Sequence, residues 1–208
     1  MNSGFQQHRL GILGGTFDPV HNGHITVAEE VYKTLHFDKV LFMPTGVSWQ
    51  KMTRNITAAE YRVDMLKLAI ADHPYFAIST LEVERPGATY TVDTLRELRD
   101  KYGSSTDLYF VLGWDALLGA PSWKEPGKII ELCYVVTVPR PHTQPPDKEQ
   151  LERLIPGISR KLIMLEKPLI DISSTEIRNR IAEKKPWDHL VPKAVAEYIK
   201  NKGLYTRS

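Results

Sequence analysis

The sequence predicts an α/β fold, a doubly wound parallel sheet with helices on both faces, and three observations carry that prediction. Short β-rich runs alternate with helix-period segments along most of the chain. Several of those runs are apolar at consecutive positions, the pattern of strands buried on both faces. The length of 208 residues, with 42% apolar and 25% charged side chains, suits one large domain with a real core.

Taken in order, the strand candidates are Leu10–Leu13, Val40–Met43, Phe76–Val83, Leu108–Leu112, Tyr134–Val138 and Leu162–Leu165. The first helix is predicted over Ile25–Leu35, where Ile25, Ala28, Val31 and Leu35 share a stripe. A second has Val92, Leu95, Leu98 and Tyr102 on one side and Gly103 as its stop. Pro139, Pro141, Pro145 and Pro146 crowd eight residues and predict a surface loop. From Ser173 the chain reads as helical: Ser173 and Glu176 have capping-box spacing, and Pro192 fits N1 of a last helix before Gly203. The expected organisation is a single domain over residues 1–208. Residues 8–172 form its α/β core, and 173–208 form a small helical C-terminal subdomain. In such sheets ligands bind beyond the carboxyl ends of the strands, so loops that follow strands are where chemistry is sought.

Charge and composition exclude several classes. With 27 Lys and Arg against 25 Asp and Glu, the net charge is +2. That balance gives no reason to expect nucleic acid or an anionic membrane as partner. No apolar run approaches the ~20 residues of a membrane span. The first residues lack the layout of a signal peptide. Cys133 is the single cysteine and has no internal disulfide partner, so a cytoplasmic location is expected. Nothing in the sequence fixes the assembly state, and a homo-oligomer is one option.

The loop after the first strand reads Gly14-Gly15-Thr16-Phe17-Asp18-Pro19-Val20-His21-Asn22-Gly23-His24. Gly14 and Gly15 allow positive φ and close approach of a ligand to backbone amides. A helix start near Gly23 offers unpaired N–H groups to an anion. His21 and His24 project from the same side of that helix and can donate to phosphate oxygens. Bland alternatives compete: a double glycine is a common turn, and the two histidines can serve as helix-capping residues. The string is neither a Walker A loop nor Gly-x-Gly-x-x-Gly. No third ligand at metal spacing accompanies His21 and His24, which argues against zinc.

A second segment, Ile172-Ser173-Ser174-Thr175-Glu176-Ile177-Arg178, places hydroxyls at a helix start with a cation one turn later. In isolation it reads as a helix cap followed by a solvated arginine.

Together the two strings resemble the signatures of the nucleotidylyltransferase superfamily, (T/H)-x-G-H and Ile-Ser-Ser-Thr-x-Ile-Arg, in the expected order. Further segments narrow the resemblance: Met43-Pro44-Thr45-Gly46, Thr89-Tyr90-Thr91-Val92-Asp93-Thr94-Leu95, Val111-Leu112-Gly113-Trp114-Asp115, Ser122-Trp123, Arg140-Pro141 and Gly203-Leu204-Tyr205. The chain is similar from about Leu10 to Tyr205 to the bacterial nicotinate-mononucleotide adenylyltransferases. That resemblance implies a Rossmann-like fold and adenylyl transfer from ATP to nicotinate mononucleotide, a step of NAD biosynthesis.

It also implies roles. His21, His24 and Arg178 would be catalytic. Gly14, Gly15, Thr16, Phe17, Gly113, Asp115, Ile172, Ser173, Ser174 and Thr175 would complete the ATP site. Asp18, Lys51, Tyr90, Thr91, Trp123, Lys124 and Arg140 would bind the mononucleotide, with Trp123 stacked on its pyridine ring. Mg²⁺ is expected through the ATP phosphates and not through protein ligands. One departure stands out: family members commonly read Pro-Pro-His-Lys where this chain has Ser48-Trp49-Gln50-Lys51. Other readings are transfer to the amide mononucleotide, a nucleotide-binding regulator without turnover, and a nucleic-acid-binding module. The near-neutral balance disfavours the last of these.

Overall fold

β1 (His8–Gly15) turns Leu10, Gly11, Ile12 and Leu13 into the interior, and the rest of the molecule is built outward from it. The computed structural model describes residues 8–48 and 56–206. After β1 come α1 (Asn22–Leu35), β2 (Lys39–Pro44), β3 (Val47–Ser48), α2 (Ala59–Ile70), β4 (Phe76–Ile78), α3 (Leu81–Glu84) and β5 (Ala88–Thr89). The order continues with α4 (Thr91–Tyr102), β6 (Thr106–Gly113), α5 (Trp114–Leu118), α6 (Pro126–Leu132), β7 (Tyr134–Val138) and α7 (Lys148–Leu154). β8 (Leu162–Met164), α8 (Ser174–Ala182) and α9 (Lys193–Lys202) complete it. No helix among the described residues is long and apolar enough to cross a membrane.

Six strands form one sheet in the order β4-β2-β1-β6-β7-β8, and every pairing in it is parallel. Chain direction across the sheet reverses between β1 and β6, so the carboxyl ends of these two strands flank the crevice where such sheets bind ligands. Alternate side chains of β1 supply two different cores. Leu13 joins Val111, Val136, α1, α2, α8 and α9 on one face. Leu10 and Ile12 join Leu41, Leu108, α4 and Ile129 on the other. Helices α8 and α9 therefore share a core with the first helices and the sheet. Cys133 is buried, and burial pushes its thiol up to about 12, so it stays protonated.

The structure changes some expectations. The predicted strand Phe76–Val83 ends at Ile78 and is followed by the helical turn α3, because β4 is an edge strand paired only with Val40, Leu41 and Phe42. Gly14 and Gly15 are not at positive φ. β1 runs through both, and the left-handed position falls on Phe17 at φ 51°. What these two glycines provide is closeness: a Cβ on Gly15 would lie 3.1 Å from the Phe17 ring and one on Gly14 3.2 Å from Phe110. Pro192 caps α9 and is not its first residue.

Gly46, just past β2, is fixed by contact. A Cβ there would overlap the backbone carbonyl oxygen of Glu82. Backbone cannot move aside cheaply, so Gly46→Ala is expected to cost about 1–3 kcal/mol, read as a lower thermal midpoint by circular dichroism.

Candidate active site

β1 and β6 deliver two loops to the crevice. The first is anchored by Arg62 of α2, which is only 3% exposed. Its guanidinium donates to the carbonyls of Thr16 (2.7 Å), Thr45 (3.0 Å) and Thr57 (2.9 Å), tying the loops after β1 and β2 together. Asp18 has both carboxylate oxygens engaged within the fold, by the Tyr205 hydroxyl at 2.7 Å and the Thr57 N–H at 3.3 Å. Each oxygen thus has one partner inside the fold, and Asp18 also lines the cleft that holds Phe17, His21 and His24.

His21 stands immediately before α1, and His24 lies in its first turn. Their rings stack with centroids 3.7 Å apart, and the Phe17 ring meets His24 edge-on at 4.9 Å. The His21 backbone N–H donates to His24 Nδ1 at 3.2 Å, so a neutral His24 carries its proton on Nε2. Burial pushes His21 down to about 3, and the charge of Arg140 adds to the effect. Burial, then His21 and Arg140, hold His24 well below the usual histidine range. Both rings are neutral donors at pH 7, and an arriving anion would raise the affinity of each for a second proton.

These shifts have a stability consequence with a definite sign. Below pH 6.5 the unfolded chain binds a proton at His21 that the folded chain refuses until about pH 3. Stability therefore falls as pH drops through that window, by about 2 kcal/mol at pH 5 from this one residue. Urea unfolding is expected to show a lower midpoint at pH 5 than at pH 7, and His21→Gln should narrow the gap.

The second motif closes over the first. Ser173 caps α8 by accepting the Glu176 N–H at 3.1 Å. Ser174 Oγ donates to the Pro19 carbonyl at 2.9 Å, while Arg178 donates to the Asp18 carbonyl at 2.6 Å and to Thr175 Oγ1 at 3.3 Å. Opposite, at the end of β6, Gly113 lets the Asp115 and Arg140 side chains lie close against its backbone. A Cβ there would sit 2.9 Å from Arg140 Nε. Arg140 Nε lies 3.7 Å from Asp115 Oδ1 and is buried.

The result is a pair of adjoining chambers. One, of about 320 Å³, is lined by Phe17, His21, His24, Gly113, Asp115, Arg140, Thr175 and Arg178. Ile172, Ser173 and Ser174 line its outer edge beside Arg140. The other, of about 190 Å³, is lined by Glu82, Tyr90, Thr91, Trp123 and Lys124. Gly14, Gly15 and Thr16 border both. Trp123 lies edge-on to Phe110 at 6.1 Å, and Lys124 pairs with Asp93 at 2.9 Å. Thr91 opens α4, with Tyr90 in the capping position. Lys51, together with Trp49 and Gln50, lies outside the described residues.

Sequence reasoning gave no role to Arg62, Glu82 or Tyr205. Arg62 left a signal: it shares a helical stripe with Met65, Leu66 and Ala69, a charge on an apolar face. The other two became meaningful only through partners distant in sequence.

Residues 12–180 match the family model described as Cytidylyltransferase-like. A protein of Dehalococcoides mccartyi named "Probable nicotinate-nucleotide adenylyltransferase" is 47% identical over 199 residues, which cover 96% of this chain and 98% of its own. The fold is similar to that of the Plasmodium falciparum nicotinic acid mononucleotide adenylyltransferase. Its complex with NaAD aligns with a TM-score of 0.77 at 20% identity, covering 95% of this chain and 97% of that one. Its complex with APC gives 0.76 at 19%, with the same coverage. Sequence and fold agree: the chain belongs to the cytidylyltransferase-like family and, within it, to the nicotinate-nucleotide adenylyltransferases.

Proposed function

We propose that this chain transfers the adenylyl group of ATP to nicotinate mononucleotide, releasing pyrophosphate and deamido-NAD. The observation that carries the reading is the pair of chambers meeting over Gly14, Gly15 and Thr16, with the start of α1 and two neutral histidine donors beneath one of them. Two anionic substrates can meet there end to end.

A phosphate oxygen of the mononucleotide attacks the α-phosphorus of ATP, a new P–O bond forms, and the bond to the β-phosphate breaks. The nucleophile is already an anion, so no general base is needed. Catalysis comes from holding two anions in line and neutralising charge as pyrophosphate departs. His24 Nε2 and the first amides of α1 donate to the phosphates, and His21 supports them from the stacked position. Arg178 supplies fixed positive charge around the triphosphate, and so does Arg140, which was expected at the mononucleotide but lines the chamber of His21 and His24. Gly113 and Asp115 border the adenosine, Asp115 toward ribose hydroxyls, and the Ile172–Thr175 turn closes over it. On the other side Trp123 stacks on the pyridine ring, a contact worth about 1–3 kcal/mol. Thr91 and the backbone near Lys124 meet the pyridine carboxylate.

Among the described residues no group of three or more His, Cys, Asp or Glu could hold a metal ion. Asp18 is engaged and Asp115 faces Arg140, so these carboxylates do not form a cage for a divalent ion. In this reading Mg²⁺ arrives with the nucleotide, carried on its phosphates.

Pyrophosphate release from ATP is measured with the acid mononucleotide, the amide mononucleotide and phosphopantetheine in parallel. The expected result is fast release with the acid and slower release with the amide, because donors built for a carboxylate are left unpaired by an amide. Release with phosphopantetheine alone would overturn the assignment.

A further inference from the structure

Glu82 is a buried carboxyl, 9% exposed, on the wall of the chamber assigned to the pyridine ring, and the chemistry above gives it no part. Its hydrogen bonds are directional. Arg85 Nη1 donates to Thr94 Oγ1 at 3.0 Å, and Thr94 Oγ1 lies 2.8 Å from Glu82 Oε1. A guanidinium can only donate, so the Thr94 oxygen is the acceptor there, and its single hydrogen goes to Glu82 at 2.8 Å in preference to the Tyr90 carbonyl at 3.4 Å. With Thr94 donating to Oε1, the proton of the neutral acid sits on Oε2.

Two candidate substrates differ by one group. A pyridine carboxylate is repelled by an ionised carboxyl on the chamber wall and receives a charge-assisted hydrogen bond from a neutral one. A carboxamide brings N–H donors and no charge, so it is served by the ionised form. We propose that Glu82 is a specificity-determining residue of this chamber, favouring the acid mononucleotide while it is neutral and losing that preference when it ionises. This rests on the adenylyl-transfer reading.

The surroundings favour the neutral form over what a free carboxyl would show. Burial raises Glu82 above the usual carboxylate range, the Thr94 hydrogen bond and Arg85 lower it, and Glu97 raises it. From α4 the nearby ionisable groups are Glu97, Asp93 and Arg96, which pairs with Asp93, and from the loop before α6 Lys124, which Asp93 also pairs. Arg85 at the end of α3 is paired with Glu97 at 2.6 Å, and Tyr90 lines the same wall. The ends of β2 and β5 present only Thr45 and Thr89.

The test is the ratio of kcat/KM for nicotinate mononucleotide to that for nicotinamide mononucleotide, followed from the lowest pH at which the protein stays folded up to pH 9. Titrations of His21, His24 and the substrate phosphate are common to both substrates and cancel in the ratio. The wild-type ratio is expected to fall at least tenfold as pH rises. In Glu82→Gln, which always carries donors and never a charge, it should change less than twofold. A flat wild-type ratio, or the same fall in E82Q, overturns the proposal, and the wild-type profile decides alone if E82Q does not fold. Absence of pyrophosphate release with either mononucleotide would be a separate outcome, overturning the adenylyl-transfer reading and this inference with it.

Discussion

Replacing His24 with Ala is expected to lower kcat for pyrophosphate release about 10²- to 10³-fold, the usual consequence of losing one donor aimed at developing charge. The ring leaves with its Nε2 donor, and nothing in the Phe17 and His21 stack can replace it. The structural cost is smaller. The substitution frees the His21 backbone N–H, which then finds water in an open cleft, so stability should fall by no more than about 1–2 kcal/mol. A H24A protein with an intact thermal transition and near-normal turnover would remove His24 from the chemistry. His24→Gln distinguishes donor from charge: a neutral amide keeps an N–H, and partial recovery of rate would show that hydrogen bonding, not imidazolium, is what the site uses.

Arg62→Ala has the largest expected effect on the fold. The side chain is buried and holds three backbone carbonyls belonging to the loops after β1 and β2 and the start of α2. Burial lowers its affinity for the proton, while Asp18 and Tyr205 favour the charged form. Truncation leaves those carbonyls unpaired and a cavity beside them, a loss of about 3–5 kcal/mol. Denaturant unfolding should show this as a reduced midpoint. Arg62→Lys should restore little, because one ammonium cannot reproduce a planar fork reaching three acceptors. Activity should fall in both variants, since Gly15 and Thr16 border both chambers.

What the sequence made legible follows from the range over which each signal acts. The apolar runs at β1, β2, β6 and β7 announced themselves because a strand covered on both faces has no polar alternation to dilute it. β4 was overread because Phe76–Ile78 is apolar like its neighbours, and only the sheet edge limits its pairing. His21, His24, Ser174 and Arg178 were visible through their strings, and the structure brings the two strings into contact through backbone carbonyls of Asp18 and Pro19. No residue type records that contact, since any sequence presents a carbonyl. The engagement of Asp18 by Tyr205 was hidden for another reason. It spans 187 residues, and periodicity reports only neighbours within a turn or two.

The lash between the two motifs also bears on how the molecule is made. A nascent chain released only as far as residue 172 has the glycine turn and both histidines, but neither Ser174 nor Arg178 to hold the Asp18–Pro19 carbonyls. Tyr205, which secures Asp18 itself, emerges later still. The Asp18–Pro19 carbonyls are consequently held only once the second motif has emerged, and a product terminated before Ser174 is expected to release no pyrophosphate even where its first strands have already paired.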